Sequence, residues 1–490
     1  TRTLSSQLQL GMRGEGELAI DATLIYDYPS VEAMTAHIVE LIGSDDRVSD
    51  RVDRDGEPGV HRTDPSALAV AAPAASAVHM PGQARHVYVV QTSDLPTAMP
   101  ASTMRSYPST STFSDRVTQV PSDRWDVDDP SQSINARFGG WLNGVQLFDA
   151  AIFGISATEA IFMDPQHRRL LESALTLASA HSPIEAERGV YVGIQHMEYK
   201  ELLTSHVGLD SSYTSISSSF SIAAGRISFS MSSVGPAVSV DTACSSALVA
   251  VHAASQYVTI SGHCSTAHSI SMMLSRGTSL AVRAAGMTSF DGRCKALDKS
   301  ADGYGRSETC ASVLLSLSDL EGACLLSAAS VNQDGRSSSL TAPSGPSQLR
   351  LIKSSMRAAA MATSDVHGMV LHGTGTSLGD PIEIGALGNI FGRSEGRSPA
   401  APQTRLFAPK SVFGHAEPAS GHIGSHVASG ILRDLVVAPV LHLADVNPYI
   451  SRSGIGKFVV GRQPSGAAAA ATASNEATTA IGVSAFAFQG

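Results

Sequence analysis

The chain has 490 residues, of which 43% are hydrophobic and 16% are charged, and its formal net charge is −10. This length is too great for one ordinary domain, and the acidic balance without a basic stripe argues against nucleic acid or an anionic membrane as the main partner. No run of 18 or more apolar residues occurs and the N-terminal residues lack the pattern of a signal peptide, so we expect neither a membrane span nor secretion.

The cysteines indicate a reducing compartment. They are odd in number and no two of them have C-x-x-C spacing: Cys244, Cys264, Cys294, Cys310 and Cys324. Reduced thiols are therefore expected rather than disulfides, and no cluster of His, Cys and carboxylate residues has metal-ligand spacing. We expect no bound metal and a cytoplasmic location, with a plastid as the alternative.

Residues 1–42 form a small unit of their own in the sequence. Ser30 is the predicted N-cap of an amphipathic stretch, Val31–Ile42. With the preceding residues, this stretch resembles the last helices of an acyl carrier domain, in which a serine of an upstream Asp-Ser-Leu phrase carries the phosphopantetheine arm. Residues 1–42 contain no such phrase. The resemblance therefore predicts a C-terminal carrier fragment whose attachment serine lies outside this chain.

Residues 43–85 have the composition of a linker. Alternating charges come first and an Ala/Pro-rich piece follows, which favours an extended segment over a packed one. Val87–Val90 is a candidate strand at the start of the third unit, residues 86–490.

Two elements are predicted from local pattern before the central motif. Asp164 is a predicted N-cap and Pro165 the first residue of a helix with an apolar face. Gly189–Ile194 is a short apolar run that predicts a buried strand.

The most informative stretch of the chain is Pro236–His252. An apolar, β-branched run predicts a buried strand, a turn of small and polar residues follows, and apolar residues at helical spacing predict a helix. Cys244 lies in the turn, where the N–H groups and the positive dipole end of the helix favour a thiolate. The residues alone leave open whether Cys244 is a nucleophile or a buried structural cysteine.

Two histidines further along the chain occupy similar settings. His372 follows the apolar run Met369–Leu371, and His415 follows Val412-Phe413. Each lies in a glycine-containing turn, as a catalytic residue at the end of a strand would.

Three motifs carry a resemblance to a known family. Asp241–Ser246, His372–Glu383 and Lys410–Glu417 resemble, in this order, the catalytic motifs of β-ketoacyl synthases, specifically the ketosynthase domains of modular polyketide synthases. The match runs from about Phe113 to Gly490, where the family pattern continues, so residues 86–490 would be a ketosynthase domain that is cut at its C-terminus. The resemblance implies an α/β, thiolase-like fold with two similar halves in a layered α-β-α-β-α arrangement, although no internal repeat is visible in the sequence.

The resemblance also implies three catalytic residues. Cys244 would accept an acyl group from a thioester. His372 and His415 would donate N–H hydrogen bonds to the thioester oxygen of the enolate that forms when a malonyl group loses CO2.

Supporting roles are implied for four positions. Lys410 and Glu417 resemble a charged pair that orders water and hydrogen bonds around the two imidazoles; a surface ion pair is the alternative. The backbone N–H groups of Cys244 and of the loop at Phe488 would form an oxyanion hole. In that loop Gln489 stands where the family has glycine.

We therefore expect a ketosynthase that elongates a polyketide or fatty-acyl chain by decarboxylative condensation. It would bind no cofactor itself, take its substrates from the phosphopantetheine of acyl carrier domains in the same polypeptide, and form a homodimer. A thiolase-like acyltransferase without decarboxylation is disfavoured because no second cysteine stands in a comparable glycine-rich turn, and the motif layout disfavours a Cys/His protease. A non-elongating domain that transfers acyl groups or acts as a dimeric scaffold stays open, because Val370-Leu371, Val412 and Gln489 depart from the family pattern.

Overall fold

The computed structural model of the chain describes most of the predicted third unit. The described residues are 86–94, 114–128, 137–180, 186–206, 211–319, 323–337, 339–391, 403–434, 439–452, 455, 458–461 and 480–488. The predicted carrier fragment 1–42 and the linker 43–85 lie outside them, as does Gln489 of the C-terminal loop.

The described residues form twelve strands in three sheets. The strands are β1 Val87–Asp94, β2 Val117–Gln119, β3 Phe138–Gly140, β4 Gly189–Gly193, β5 Ala237–Val240, β6 Ser265–Ser271, β7 Thr309–Ser316, β8 Cys324–Leu326, β9 Val366–Val370, β10 Arg405–Phe407, β11 Val459–Val460 and β12 Ala480–Val483. Strands β2 and β3 pair with each other, and the other ten belong to a six-stranded and a four-stranded sheet.

Twelve α-helices lie between these strands in the described residues. They are α1 Ala157–Phe162, α2 Pro165–Ala180, α3 Tyr199–His206, α4 Thr214–Ser217, α5 Phe220–Ser230, α6 Ser246–Ser261, α7 Arg276–Ala284, α8 Gly345–Ala358, α9 Gly379–Phe391, α10 Lys410–Phe413, α11 Ser420–Asp434 and α12 Pro448–Arg452. Helix α2 begins as predicted: Pro165 is its first residue, and the backbone N–H of Gln166 donates to Asp164 Oδ1 at 2.8 Å.

The six-stranded sheet has helices on both faces. Its strand order is β5-β4-β6-β7-β1-β8. Strand β4 is buried along its whole length, as predicted. Successive side chains point to opposite faces of a strand: Val190 and Val192 pack in a core with α2 and α5, whereas Tyr191 packs in a second core with α6.

Strand β5, which leads to Cys244, corrects a prediction. The sequence predicts that it is buried, but it is an edge strand that pairs with β4, and its Val238 is 41% exposed. A short hydrophobic run is compatible with a central strand that is buried on both faces. It is equally compatible with an edge strand whose apolar side chains are exposed in a single copy of the chain.

The four-stranded sheet completes the layers. Its strand order is β11-β10-β9-β12, and all of its pairs are parallel. Met369 of β9 packs in a core with α8 and α9, whereas its neighbour Val370 packs in another core with α11. Helices α8 and α9 therefore cover one face of this sheet and α11 covers the other.

Helices α6 and α11 form the shared middle layer. They approach so closely that a Cβ atom added at Gly421 of α11 would lie 2.6 Å from Leu248 Cγ of α6. The order of layers is therefore helices, six-stranded sheet, α6 with α11, four-stranded sheet, helices, which confirms the predicted α-β-α-β-α arrangement. None of the helices found in the described residues has the length and apolar character that a membrane crossing requires.

Candidate active site

Cys244 lies in a tight turn at the N-terminal end of α6. The turn is the 3-10 segment Ala243–Ser245, and Ala243 has a φ of +50°, a conformation that non-glycine residues rarely adopt. Local hydrogen bonds hold it: Ser246 Oγ accepts from the N–H of Thr242 at 2.9 Å and donates to the carbonyl of Ala243 at 2.7 Å. The polar side chains beside Cys244 therefore serve the geometry of the turn.

The environment of the thiol differs from the expectation. Burial raises the pKa of Cys244 to about 12, the charge of Glu417 acts in the same direction, and Lys410 acts against both. Burial therefore acts against the predicted thiolate, because a charged sulfur would lose its hydration there.

His372 is held through both its backbone and its ring. The N–H groups of His372 and Gly373 donate to the two carboxylate oxygens of Glu383 in α9, at 2.8 and 2.9 Å. The N–H of Phe486 donates to Nδ1 of the ring at 3.3 Å. A backbone N–H can only donate, so Nδ1 is the unprotonated nitrogen and the proton of the neutral ring lies on Nε2.

His415 has the same tautomer for the same reason. The N–H of Glu417 donates to Nδ1 of His415 at 3.2 Å, and the hydroxyl of Ser420 lies 2.7 Å from the same nitrogen. The backbone of His415 is held from the other side: its N–H donates to the carbonyl of Gly305 at 2.7 Å, and its carbonyl accepts from the N–H of Ser307 at 2.9 Å.

Both imidazoles are neutral. Burial lowers the pKa of His372 and of His415 well below the usual value, and the positive charge of Lys410 lowers both further. The site therefore holds two neutral rings, each with its proton on Nε2, the nitrogen opposite the one that the backbone engages. This arrangement suits donation to an oxygen atom that gains negative charge.

The structure brings the three predicted catalytic residues into one region. The ring centroids of His372 and His415 are 5.6 Å apart and the rings are nearly perpendicular. The ring centroids of Tyr304 and His415 are 4.8 Å apart, and these two rings are also close to perpendicular. The turn that carries Cys244 packs against the 3-10 turn Glu417–Ala419, and Lys410 acts on the pKa of Cys244 and of both histidines.

Lys410 and Glu417 are both buried, so the alternative of a surface ion pair is wrong. Glu417 forms a salt bridge with Arg306 at 2.9 Å. No salt bridge joins it to Lys410 in the described part of the chain. Burial lowers the pKa of Lys410, and the carboxylate that most strongly opposes this is Glu383. Because the backbone of His415 is joined to residues 305–307, the side chain of Glu417 faces Arg306 instead.

The C-terminal segment approaches the site through Phe486. This residue supplies the hydrogen bond to His372, and its ring centroid lies 5.7 Å from that of the histidine. Phe488, predicted as part of the oxyanion hole, is 41% exposed. Within the described residues, no group of three or more His, Cys, Asp or Glu side chains could hold a metal ion.

Sequence reasoning missed four residues that shape the site. They are Tyr304, Arg306, Glu383 and Ser420. Arg306 is almost fully buried. Its position shortly before the apolar strand β7 is the sequence signal that could have indicated this burial, and a buried charge needs a partner. Glu383 follows His372 by eleven residues in the same motif. It reaches the backbone of His372 and Gly373 only because α9 begins between them, at Gly379.

The chain is similar to proteins of known family. Two family models match it: Beta-ketoacyl synthase, N-terminal domain, over residues 109–319, and Beta-ketoacyl synthase, C-terminal domain, over residues 323–444. A phenolphthiocerol/phthiocerol polyketide synthase of Mycobacterium tuberculosis is 36% identical over 362 residues, which are 70% of this chain and 23% of that protein. Erythronolide synthase EryA2 of Saccharopolyspora erythraea is 32% identical over 458 residues, 88% of this chain and 12% of that protein.

Solved structures are similar to the chain as well. A ketosynthase from module 6 of the bacillaene synthase of Bacillus subtilis 168 superposes with a TM-score of 0.70 at 26% identity, covering 82% of this chain and 70% of that one. The oxazolomycin ketosynthase domain OzmH KS7 of Streptomyces albus JA3453 gives a TM-score of 0.71 at 27% identity, covering 83% and 72%. The chain spans less than a quarter of the length of the two curated relatives.

Proposed function

The chain belongs to the β-ketoacyl synthase family, and we propose that it is a ketosynthase that condenses an acyl group on Cys244 with a malonyl-type thioester, with loss of CO2, in polyketide chain elongation. The observation that carries this proposal is the pair of neutral imidazoles, His372 and His415, each with Nδ1 engaged by a backbone N–H and with its proton on Nε2. Such a pair is suited to stabilising an enolate oxygen.

The first step transfers an acyl group to Cys244. Its sulfur attacks the carbonyl carbon of an acyl thioester, and the bond from that carbon to the sulfur of the carrier breaks. Because burial raises the pKa of Cys244 to about 12, its proton passes to the departing thiolate as the new thioester forms. The N–H groups of Cys244 and Phe488 are the proposed donors to the tetrahedral oxyanion.

The second step generates the carbon nucleophile. A malonyl thioester binds with its carbonyl oxygen between the Nε2–H groups of His372 and His415. The bond between the α-carbon and the carboxylate breaks, CO2 leaves, and the electron pair becomes an enolate whose oxygen accepts both hydrogen bonds. A donor of this kind contributes roughly 10²–10³-fold to a rate.

The third step forms the new carbon–carbon bond. The enolate carbon attacks the acyl carbon, the bond to Cys244 breaks, and the released sulfur takes a proton from solvent. Lys410 supports this step through its charge, because it lowers the free energy of a thiolate at Cys244, the form in which the sulfur leaves.

The substrates and the assembly are parts of the same proposal. The acyl and malonyl groups arrive on the phosphopantetheine of carrier domains in the same polypeptide, and this domain itself binds no cofactor. Two copies associate through the edge strand β5: Val238 of β5, Val234 before it and Phe229 of α5 are 41%, 75% and 88% exposed, which suits burial in a two-fold interface. The proposed compartment is the cytoplasm.

One experiment tests the chemistry. Malonyl and hexanoyl thioesters of N-acetylcysteamine are supplied separately, and CO2 release and the intact mass of the protein are followed. We expect Cys244→Ala to lose acylation and keep some CO2 release, and His372→Ala to lose most CO2 release. Cys264→Ala is the matched control, because Cys264 and Cys244 are both 8% exposed.

A non-elongating scaffold gives a different pattern. The wild type would release no CO2 above background, and neither Cys244→Ala nor His372→Ala would change the outcome. That result would refute the proposed condensation.

A further inference from the structure

Arg306 lies at the centre of a buried ionic network beside the proposed site. Its Nε and Nη2 atoms each donate to one carboxylate oxygen of Glu417 at 2.9 Å. Its Nη1 donates to Ser279 Oγ of α7 at 2.7 Å, and Nη2 lies 3.7 Å from Glu198 Oε1. The three charged side chains, those of Arg306, Glu417 and Glu198, are each 4% exposed. Two-point binding of a carboxylate fixes its orientation as well as its charge.

Glu417 transmits this constraint to His415. Its backbone is in the left-handed region, with a φ of +41°, which a non-glycine residue keeps only when its surroundings hold it there. In this conformation its N–H donates to Nδ1 of His415, and that hydrogen bond places the ring proton on Nε2. The grip of Arg306 on the carboxylate therefore supports the tautomer of the histidine.

A second connection runs through the backbone of the same segment. Gly305 and Ser307, on either side of Arg306, hydrogen-bond to the backbone N–H and carbonyl of His415. The hydrogen bonds that shape the turn at Cys244 come from residues 241, 245 and 246. The network of Arg306 thus reaches His415 through hydrogen bonds, whereas it meets the turn of Cys244 only through packing against Glu417–Ala419 and the charge of Glu417.

We propose that Arg306 is a positioning residue for decarboxylation: by holding Glu417 it keeps His415 oriented with Nε2–H directed at the enolate oxygen. This inference rests on the proposed function. It assigns Arg306 to the malonyl half of the reaction and not to the acylation of Cys244.

A matched control exists in the same unit of the chain. Arg124 donates through Nε and Nη2 to the two oxygens of Glu308 at 3.1 and 3.0 Å, and its side chain is 3% exposed, against 4% for Arg306. The other hydrogen bonds of the Glu308 carboxylate come from the N–H groups of Leu142 and Met273. Arg124→Met therefore breaks a comparable buried pair whose carboxylate hydrogen-bonds to Leu142 and Met273 and not to His415.

The test compares two rates in purified full chain, normalised to the folded fraction. The rates are CO2 release from malonyl-N-acetylcysteamine and acylation of Cys244 by hexanoyl-N-acetylcysteamine. We expect Arg306→Met to lower kcat for CO2 release by about 10- to 100-fold, since a misplaced group costs on this order, and to leave acylation within about threefold. Arg306→Lys, which keeps the charge without the two-point geometry, recovers part of the loss.

A further variant keeps the test decisive if Arg306→Met folds poorly. Arg306→Met with Glu417→Gln removes both charges, so no carboxylate of this pair is left buried without its partner. We expect it to fold and still to lose CO2 release; wild-type CO2 release from it would overturn the positioning role. The positioning role is overturned as well if Arg306→Met and Arg124→Met lower both rates in equal proportion. If the wild type releases no CO2, the proposed function itself fails.

Discussion

His268 makes the stability of this protein sensitive to acid. Its imidazole is fully buried in β6, where Nδ1 hydrogen-bonds with Ser312 Oγ at 2.6 Å. Its Nε2 has no hydrogen-bond partner in the described residues. Burial lowers the pKa of His268 to about 3, because a charged imidazolium would lose its hydration there.

The sign and size of the effect follow from proton binding. The unfolded chain has a histidine pKa of 6.5, so below that pH it takes up a proton that the folded protein excludes. The stability that this group contributes is present above about pH 6.5 and is lost as the pH falls toward 3. Between pH 7 and pH 5 the free energy of unfolding falls by about 2 kcal/mol on account of His268 alone.

Replacing the histidine with methionine measures this contribution. The free energy of unfolding of wild type and of His268→Met is obtained from urea titrations at pH 7 and pH 5. We expect the decrease in the free energy of unfolding from pH 7 to pH 5 to be about 2 kcal/mol smaller in the variant than in the wild type. Met272→Leu, at a buried residue beside β6 that carries no titratable group, is the control and should keep the wild-type difference. An unchanged difference in His268→Met would refute the reasoning.

Four further outcomes are expected. Alkylation of Cys244 by iodoacetamide, followed by peptide mass spectrometry, should rise about tenfold per pH unit between pH 7 and 9 because burial raises its pKa to about 12; a plateau below pH 8 would contradict this. Gly421→Ala should lower the free energy of unfolding, measured by urea titration, by about 1–3 kcal/mol, because its Cβ would lie 2.6 Å from Leu248 Cγ. An unchanged free energy of unfolding would show that α6 and α11 can move apart without loss of stability. Val238→Asp should shift the sedimentation of a dimer toward monomer, and a monomeric wild type would exclude the proposed interface. Coenzyme A with a phosphopantetheinyl transferase should leave the mass unchanged, because residues 1–42 contain no Asp-Ser-Leu phrase; a mass gain at a serine there would contradict the predicted carrier fragment.

The parts of the fold that could be predicted from the sequence are those set by neighbouring residues. The N-cap at Asp164 and the buried strand β4 depend on a few consecutive side chains, and both are confirmed. The turn at Cys244 is another case: Asp241, Ser245 and Ser246 make its hydrogen bonds within a few residues of the cysteine.

The parts that could not be predicted depend on tertiary placement. Arg306 and Glu417 are 111 residues apart, so their pairing follows from the bridge between residues 305–307 and His415. Strand β5 has the composition of a buried strand, and only the strand order shows that it lies at an edge. The pKa of Cys244 depends on burial in the assembled domain, which no local motif expresses.

The two helices of the middle layer have a consequence for how the candidate site is assembled. Cys244 immediately precedes α6, and the turn of His415 and Glu417 immediately precedes α11. Each sheet therefore carries one part of the candidate site, and the parts meet where α6 packs on α11 at Gly421. We therefore expect that neither half of the chain, folded by itself, holds all three residues of the proposed site.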